Sequence, residues 1–221
     1  MKLENAAFNA ESAIIAQNAG ADRIEFCSDF SAGGLTPNFE ATAKIRKEIS
    51  IPIYVMIRPK PGNFVYGDTD FETMKADIDR FRNLADGFVF GMLTSANTID
   101  PRNFELVKRA GKPCTFHRAF DHTEDLADSL ETLISLGFST VLTSGGKGNA
   151  PDNISSLEKL VKLAAGRIEV MPGGGVRSEN VGALKSTGAL WFHSSGITLN
   201  SPVADSSEIL KIKKLLYSEN L

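Results

Sequence analysis

The feature that most constrains this chain is an alternation of short apolar runs with longer amphipathic ones, repeated along 221 residues. The apolar runs at 2–7, 22–27, 52–57, 87–91, 112–117, 139–143, 167–171 and 189–193 are expected as strands. Helices are expected at 9–19, 37–48, 70–84, 101–110, 123–136, 152–165, 178–187 and 205–217. Thr36-Pro37, Asp100-Pro101 and Ser178 before Glu179 read as helix starts, and Gly20, Gly111, Gly137, Gly166 and Gly188 as stops. Such βα units, with no Pro/Gly/Ser linker between them, predict an α/β fold with a single (β/α)8 TIM barrel over 1–221. A doubly wound open sheet is the other arrangement, but Asn9-Ala10-Glu11-Ser12 stands where its GxGxxG turn belongs.

Parity within the strands sorts residues by face. Ile24 and Phe26 oppose Arg23, Glu25 and Cys27; Ile53, Val55 and Ile57 oppose Tyr54, Met56 and Arg58. Cys114 and Phe116 oppose Thr115 and His117, Ile168 and Val170 oppose Glu169 and Met171, and Leu190 and Phe192 oppose Trp191 and His193. The apolar face should meet the helices and the other should line the barrel. The interior then carries Arg23, Glu25, Arg58, His117, Glu169 and His193, which must pair with one another or meet ligand and water. For Arg23 and Glu169 a structural ion-pair network competes equally with a functional role. Arg58 and His117 stand at the C-terminal strand ends, where barrel enzymes place their chemistry.

A net charge of −3 supplies no basic field, so nucleic acid is not expected as a partner. No run approaches the ~18 apolar residues of a membrane span. The start, Met1-Lys2-Leu3-Glu4-Asn5, reads as no secretory leader, and the two cysteines, Cys27 and Cys114, form no CxxC. A cytoplasmic protein is the expectation.

Several strand-end segments are distinctive: Ala21-Asp22-Arg23-Ile24-Glu25-Phe26-Cys27, Gly33-Gly34-Leu35-Thr36-Pro37, Ile57-Arg58-Pro59, and Thr115-Phe116-His117-Arg118-Ala119-Phe120-Asp121. Val141-Leu142-Thr143-Ser144-Gly145-Gly146, Met171-Pro172-Gly173-Gly174-Gly175-Val176 and His193-Ser194-Ser195 complete the set. In order and spacing it resembles the CutC family of copper homeostasis proteins over residues 2 to about 197. The resemblance implies a TIM barrel, a cytoplasmic location, a role in copper tolerance with copper(I) as ligand, and is compatible with a homo-oligomer. It carries no assigned catalytic activity. Its metal-ligand proposals fall on Cys27 and on a strand-one cysteine for which this chain has Ala6 and Ala7. A cysteine found in some members after strand three is Val65 here, and the segment at Asn200-Ser201-Pro202 is shortened. Copper(I) prefers two or three soft ligands. Cys27 could be joined by Met56, Met171 or an imidazole, yet a lone buried cysteine is more often a small hydrophobe.

The residues also support a barrel enzyme of isomerase, lyase or hydrolase type acting on a small phosphorylated or carboxylated metabolite. Gly173, Gly174 and Gly175, with Ser194 and Ser195, occupy the loops where barrels bind phosphate, with backbone N–H groups at a helix N-terminus as donors. Ser144 and Arg118 are further candidates for this phosphate-binding loop. His117 is the expected general acid/base, with a pKa near neutrality. Arg58 would steady an anion, and Glu4 or Glu25 would orient His117 or abstract a proton. An Arg118–Asp121 pair that merely braces the loop is equally consistent with the spacing. A barrel kept for protein–protein interaction is a third reading.

Overall fold

The computed structural model describes residues 1–198 and 202–218, so Asn200 and Ser201 of the shortened segment lie outside the described residues. Strands β1 (Lys2–Ala7), β2 (Arg23–Phe26), β3 (Ile53–Met56) and β4 (Gly87–Phe90) are followed by β5 (Cys114–Phe116), β6 (Thr140–Thr143), β7 (Glu169–Pro172) and β8 (Trp191–Ser194). They alternate with helices α1 (Ala10–Asn18), α2 (Phe39–Arg46), α3 (Asp68–Phe81), α4 (Asn103–Ala110), α5 (Leu126–Leu136), α6 (Ile154–Ala164), α7 (Val181–Leu184) and α8 (Ser206–Tyr217). All ladders are parallel, in the order β7-β6-β5-β4-β3-β2-β1-β8. The expected (β/α)8 TIM barrel is therefore present, nearly closed. Between β7 and β8 the Leu190 N–H donates to Glu169 Oε1 at 3.3 Å, without a ladder.

Parallel strands covered by helices bury both faces, and the two faces separate by parity. Ile24, Phe26, Ile53, Val55, Ile57, Phe116, Val170 and Phe192 belong to the large core between strands and helices. Cys27, Tyr54, Met56 and Val89 form a small separate cluster inside the barrel. Leu190 departs from its expected place: it precedes β8 and is exposed. Helix α3 buries Phe71, Met74, Ile78 and Phe81, spaced on one helical face. Helix α5 begins on Asp125, whose side chain accepts the Ala127 and Asp128 N–H groups, and stops at Gly137 with φ +86°.

Two boundaries differ from the sequence expectation where loops take over. Ahead of α5, residues Arg118–His122 form a 3₁₀ turn, folded back on the barrel mouth by the buried Asp121. The helix expected at 178–187 is four residues of α7 followed by a 3₁₀ turn, Lys185–Thr187. The loop ahead of α7 is held by buried Glu208 of α8, which accepts the Ser178 N–H and O–H at 2.7 Å each.

Candidate functional site

Register alone assembles the buried charges. Paired residues of a parallel ladder share a face, and Glu4 pairs with Arg23 on one side and His193 on the other. Arg23 Nε donates to Glu4 Oε2 at 2.5 Å, and His193 Nδ1 lies 2.7 Å from Glu4 Oε1. Burial alone would raise the Glu4 pKa, but Arg23 and His193 outweigh it and hold the carboxyl below its usual range. An ionised carboxylate only accepts, so His193 Nδ1 carries the proton. Burial opposes charge on His193 too, yet Glu25 and Glu4 outweigh it and raise its pKa. Arg23 is stacked between Tyr54 and Trp191, 4.1 Å from each ring. Glu169, half-buried, accepts the Leu190 N–H; burial raises its pKa against that bond and the Arg23 charge.

Above this layer lies a chamber of about 110 Å³ lined by Ala6, Phe8, Glu25, Gly33, Met56, Arg58, Phe64, His117, Arg118, Leu142 and His193. Glu25 Oε2 and His117 Nε2 are both buried and have no hydrogen-bond partner among the described residues. Burial pushes the Glu25 carboxyl up to about 7, with His193 lowering it and Glu4 raising it. At His117, burial and then the Arg58 charge push the imidazole down to about 3. The expectation that His117 titrates near neutrality is thus corrected: it is a neutral ring. Its Nδ1 accepts the Ala119 N–H at 3.3 Å, which leaves the proton on Nε2, a free donor. Neither Glu4 nor Glu25 orients this ring; Ala119 does. Of the two carboxyls, Glu25 is the one able to exchange a proton near neutral pH.

Arg58 lines the chamber but is largely engaged with backbone. Its Nη1 donates to Ala32 O and Gly34 O at 2.7 and 2.9 Å, and only Nε is unpartnered. It clasps the loop after β2 and lies 4.7 Å over Phe64. Phe64 has φ +64°, a left-handed backbone rare for a bulky residue, and its ring contacts His117 at 4.9 Å. Phe64 was not legible as a site residue, because its place depends on that backbone turn.

A second cavity of about 230 Å³ shares Ala6, Phe8, Arg118 and His193 with the chamber and extends to Gly174, Gly175, Val176, Arg177, Ser194 and Ser195. The N–H groups of Gly174, Gly175 and Ser195 have no partner among the described residues. Gly174 and Gly175 take φ +91° and +75°. A Cβ on Gly174 would lie 2.9 Å from Arg118 Cζ and Nη1, so this glycine admits the guanidinium. Arg118 is aimed by Asp121, which accepts from its Nε at 2.8 Å and is itself held by Thr143 and Ser144. The Arg118–Asp121 pair therefore braces the loop and leaves Nη1 at the cavity.

Three of the proposed anion ligands are placed otherwise. Gly173 donates its N–H to Thr143 O at 2.9 Å, and a Cβ there would strike Leu142 Cδ1 at 2.3 Å, so it is a packing glycine. Ser144 is fully buried, bonded to Asp121 and Arg118, and lines neither cavity. The Ser194 hydroxyl donates to Val176 O at 2.8 Å and accepts the Gly196 N–H. With α7 beginning only at Val181, no helix N-terminus supports the loop. Arg177, absent from the sequence candidates, lines the cavity and donates to Val176 O and Ile197 O. A wider cleft of about 890 Å³ lies beyond Arg118, bordered by His122, Glu124 and Lys147.

A copper(I) site would need soft donors, and the one thiol at this end of the barrel is set apart from both cavities. Cys27 lines neither cavity; its thiol points to Ala7 O at 3.6 Å. Burial, reinforced by Glu25 and Glu4, pushes its pKa well above the usual thiol value, so the thiol stays protonated. Met56 packs in the same cluster: Cys27 Sγ and Met56 Cε each lie 3.6 Å from the position a Cβ on Gly34 would take. Met171 Sδ instead faces Arg23 Nη2 at 3.6 Å. Glu4, Glu25 and His193 offer donor atoms within 4.8 Å of one another, but these are hard or borderline donors, and Glu4 is already bound to Arg23. Within that cluster Glu4 is ion-paired with Arg23 and His193, and Glu25 has no ion pair among the described residues. Cys114 is a buried core thiol.

The family model for CutC matches residues 1–198. The chain belongs to the CutC family. A human copper homeostasis protein cutC homolog is 45% identical over 192 residues, covering 85% of this chain and 70% of the human one. A CutC protein of Xanthomonas campestris is 42% identical over 208 residues, 92% of this chain and 85% of that one. Among solved structures, a CutC from Streptococcus agalactiae superposes with a TM-score of 0.84 at 36% identity, covering 90% of this chain and all of that one. Among the described residues no helix is long and apolar enough to cross a membrane.

Proposed function

We propose that this CutC-family barrel binds a small phosphorylated or carboxylated metabolite at the C-terminal ends of its strands and acts on it by acid–base chemistry. One observation carries the reading. Glu25 and His117 line a chamber continuous with the cavity of Gly174, Gly175, Ser195 and Arg118, and Glu25 Oε2 and His117 Nε2 are buried without partners among the described residues. Orphaned buried polar atoms are costly, and a ligand that pairs both relieves that cost. Gly174, Gly175, Ser195, Arg118 and Arg177 supply the anion site, and Glu25 the exchangeable proton. Buried free cysteines suit a reducing compartment such as the cytoplasm.

Titration calorimetry with inorganic phosphate tests the anion site. Arg118→Ala should weaken binding roughly tenfold or more, the usual worth of a charge-assisted hydrogen bond. No binding by the parent protein, or equal affinity in the variant, overturns the reading. Copper(I) as cargo is the second reading, favoured by the packing of Cys27 and Met56 against Gly34. It requires the Cys27 thiol to lose its proton beside two carboxyls, and ranks below the first.

A further inference from the structure

The chamber narrows the chemistry beyond anion binding, and the following step rests on the anion reading. We infer that the site transfers a proton at a carbon next to a carbonyl, on a short phosphorylated α-hydroxycarbonyl compound, with Glu25 as base and His117 Nε2–H as donor to the oxygen.

Three observations converge. Among the described residues the chamber lining holds no hydroxyl, thiol or lysine amine, so a serine, threonine, cysteine or lysine nucleophile is lacking there. The lining groups able to move a proton are Glu25, His117 and His193. Of these, Glu25 and His117 both line that space, and Glu25 Oε2 and His117 Nε2 are buried without a hydrogen-bond partner among the described residues. The anion cavity joins that space through Ala6, Phe8, Arg118 and His193, so a phosphate held there places the next carbons in the chamber. Cavities of about 230 and 110 Å³ sit at or below the small end for ligand pockets, which fits a short chain.

In the step, the Glu25 carboxylate takes the proton from the hydroxyl-bearing carbon. The C–H electron pair becomes a carbon–carbon double bond as the carbonyl π pair moves onto its oxygen. That oxygen's charge is held by the His117 N–H, in a dry site where a fixed donor acts strongly. Return of the proton from Glu25 to the former carbonyl carbon, with the hydroxyl proton passing to the former carbonyl oxygen, gives the isomer. No oxidant or reductant enters. A carboxylate base opposite a neutral imidazole is a recurring solution to this chemistry. Glu4, through His193, is a positioning residue that keeps a cation beside Glu25.

The probe is 2-phosphoglycolate, whose carboxylate mimics the charged enediolate, compared with inorganic phosphate by calorimetry at about pH 8 in buffers of different ionisation enthalpy. Transition-state mimics gain on the order of a hundredfold or more, so phosphoglycolate should bind that much more tightly than phosphate. It should also bring uptake of about one proton, because Glu25 must be protonated to face a carboxylate. Glu25→Gln should abolish the uptake, and His117→Ala the affinity advantage. If phosphate binds but phosphoglycolate binds no tighter, or binds without proton uptake, the proton-transfer step is overturned and the anion site stands. If neither binds, the anion reading falls as well.

Discussion

At Glu25 and His117 burial, the largest cause in each case, favours the uncharged form of two groups of opposite kind. The folded Glu25 pKa is raised from 4.5 to about 7, so the folded state binds the extra proton, and its stabilisation is complete below 4.5 and is lost as pH rises to 7. The folded His117 pKa is lowered from 6.5 to about 3, so here the unfolded state binds the extra proton and stability is lost as pH falls from 6.5 to 3. The parent protein should therefore lose stability relative to Glu25→Gln as pH rises from 4.5 to 7, and gain it relative to His117→Gln from 3 to 6.5. Urea unfolding across that range measures both, and parallel curves would contradict the assignments. At Cys27 the expectation is negative: Cys27→Ala should cost about 1 kcal/mol of stability through lost burial and leave copper(I) affinity in a chelator competition unchanged. None of these protonation states was legible in the residue types. They depend on depth in the barrel and, for His117, on the Ala119 N–H that fixes its tautomer.

At the scale of elements, the strands were legible because parity is a local property, and the ladder register then brings Glu4, Arg23 and His193 together. The loops were less so. Gly173, Gly174 and Gly175 look equivalent in sequence, yet one packs on Leu142, one admits Arg118 and one approaches Asn149. Arg177 enters the site only because its loop is folded back and held by Glu208. Gly174→Ala should destabilise by roughly 1–2 kcal/mol for its left-handed backbone, and should weaken phosphate binding by pushing Arg118 aside. Gly182→Ala, in open space on α7, is the control and should be neutral or slightly stabilising. Glu208→Ala leaves the Ser178 donors unpaired and should cost about 1–3 kcal/mol, with phosphate affinity falling alongside. Thermal unfolding with and without phosphate separates the two effects, and full retention of affinity would detach this anchor from the site.

For the whole molecule, eight βα units made the barrel legible before any side chain was placed, since few other folds use that repeat at this length. Function was less legible because a family resemblance transfers a fold more readily than a ligand. Among the described residues five buried side-chain polar atoms lack a hydrogen-bond partner, and three of them, Glu25 Oε2, Arg58 Nε and His117 Nε2, belong to residues that line the chamber. An anion site at the β7 and β8 ends is open to direct test by anomalous diffraction from crystals soaked in tungstate, a heavy phosphate analogue. A peak is expected within hydrogen-bonding distance of the Gly174, Gly175 and Ser195 N–H groups and beside Arg118. Tungstate bound only elsewhere on the surface, with that cavity vacant, would contradict it.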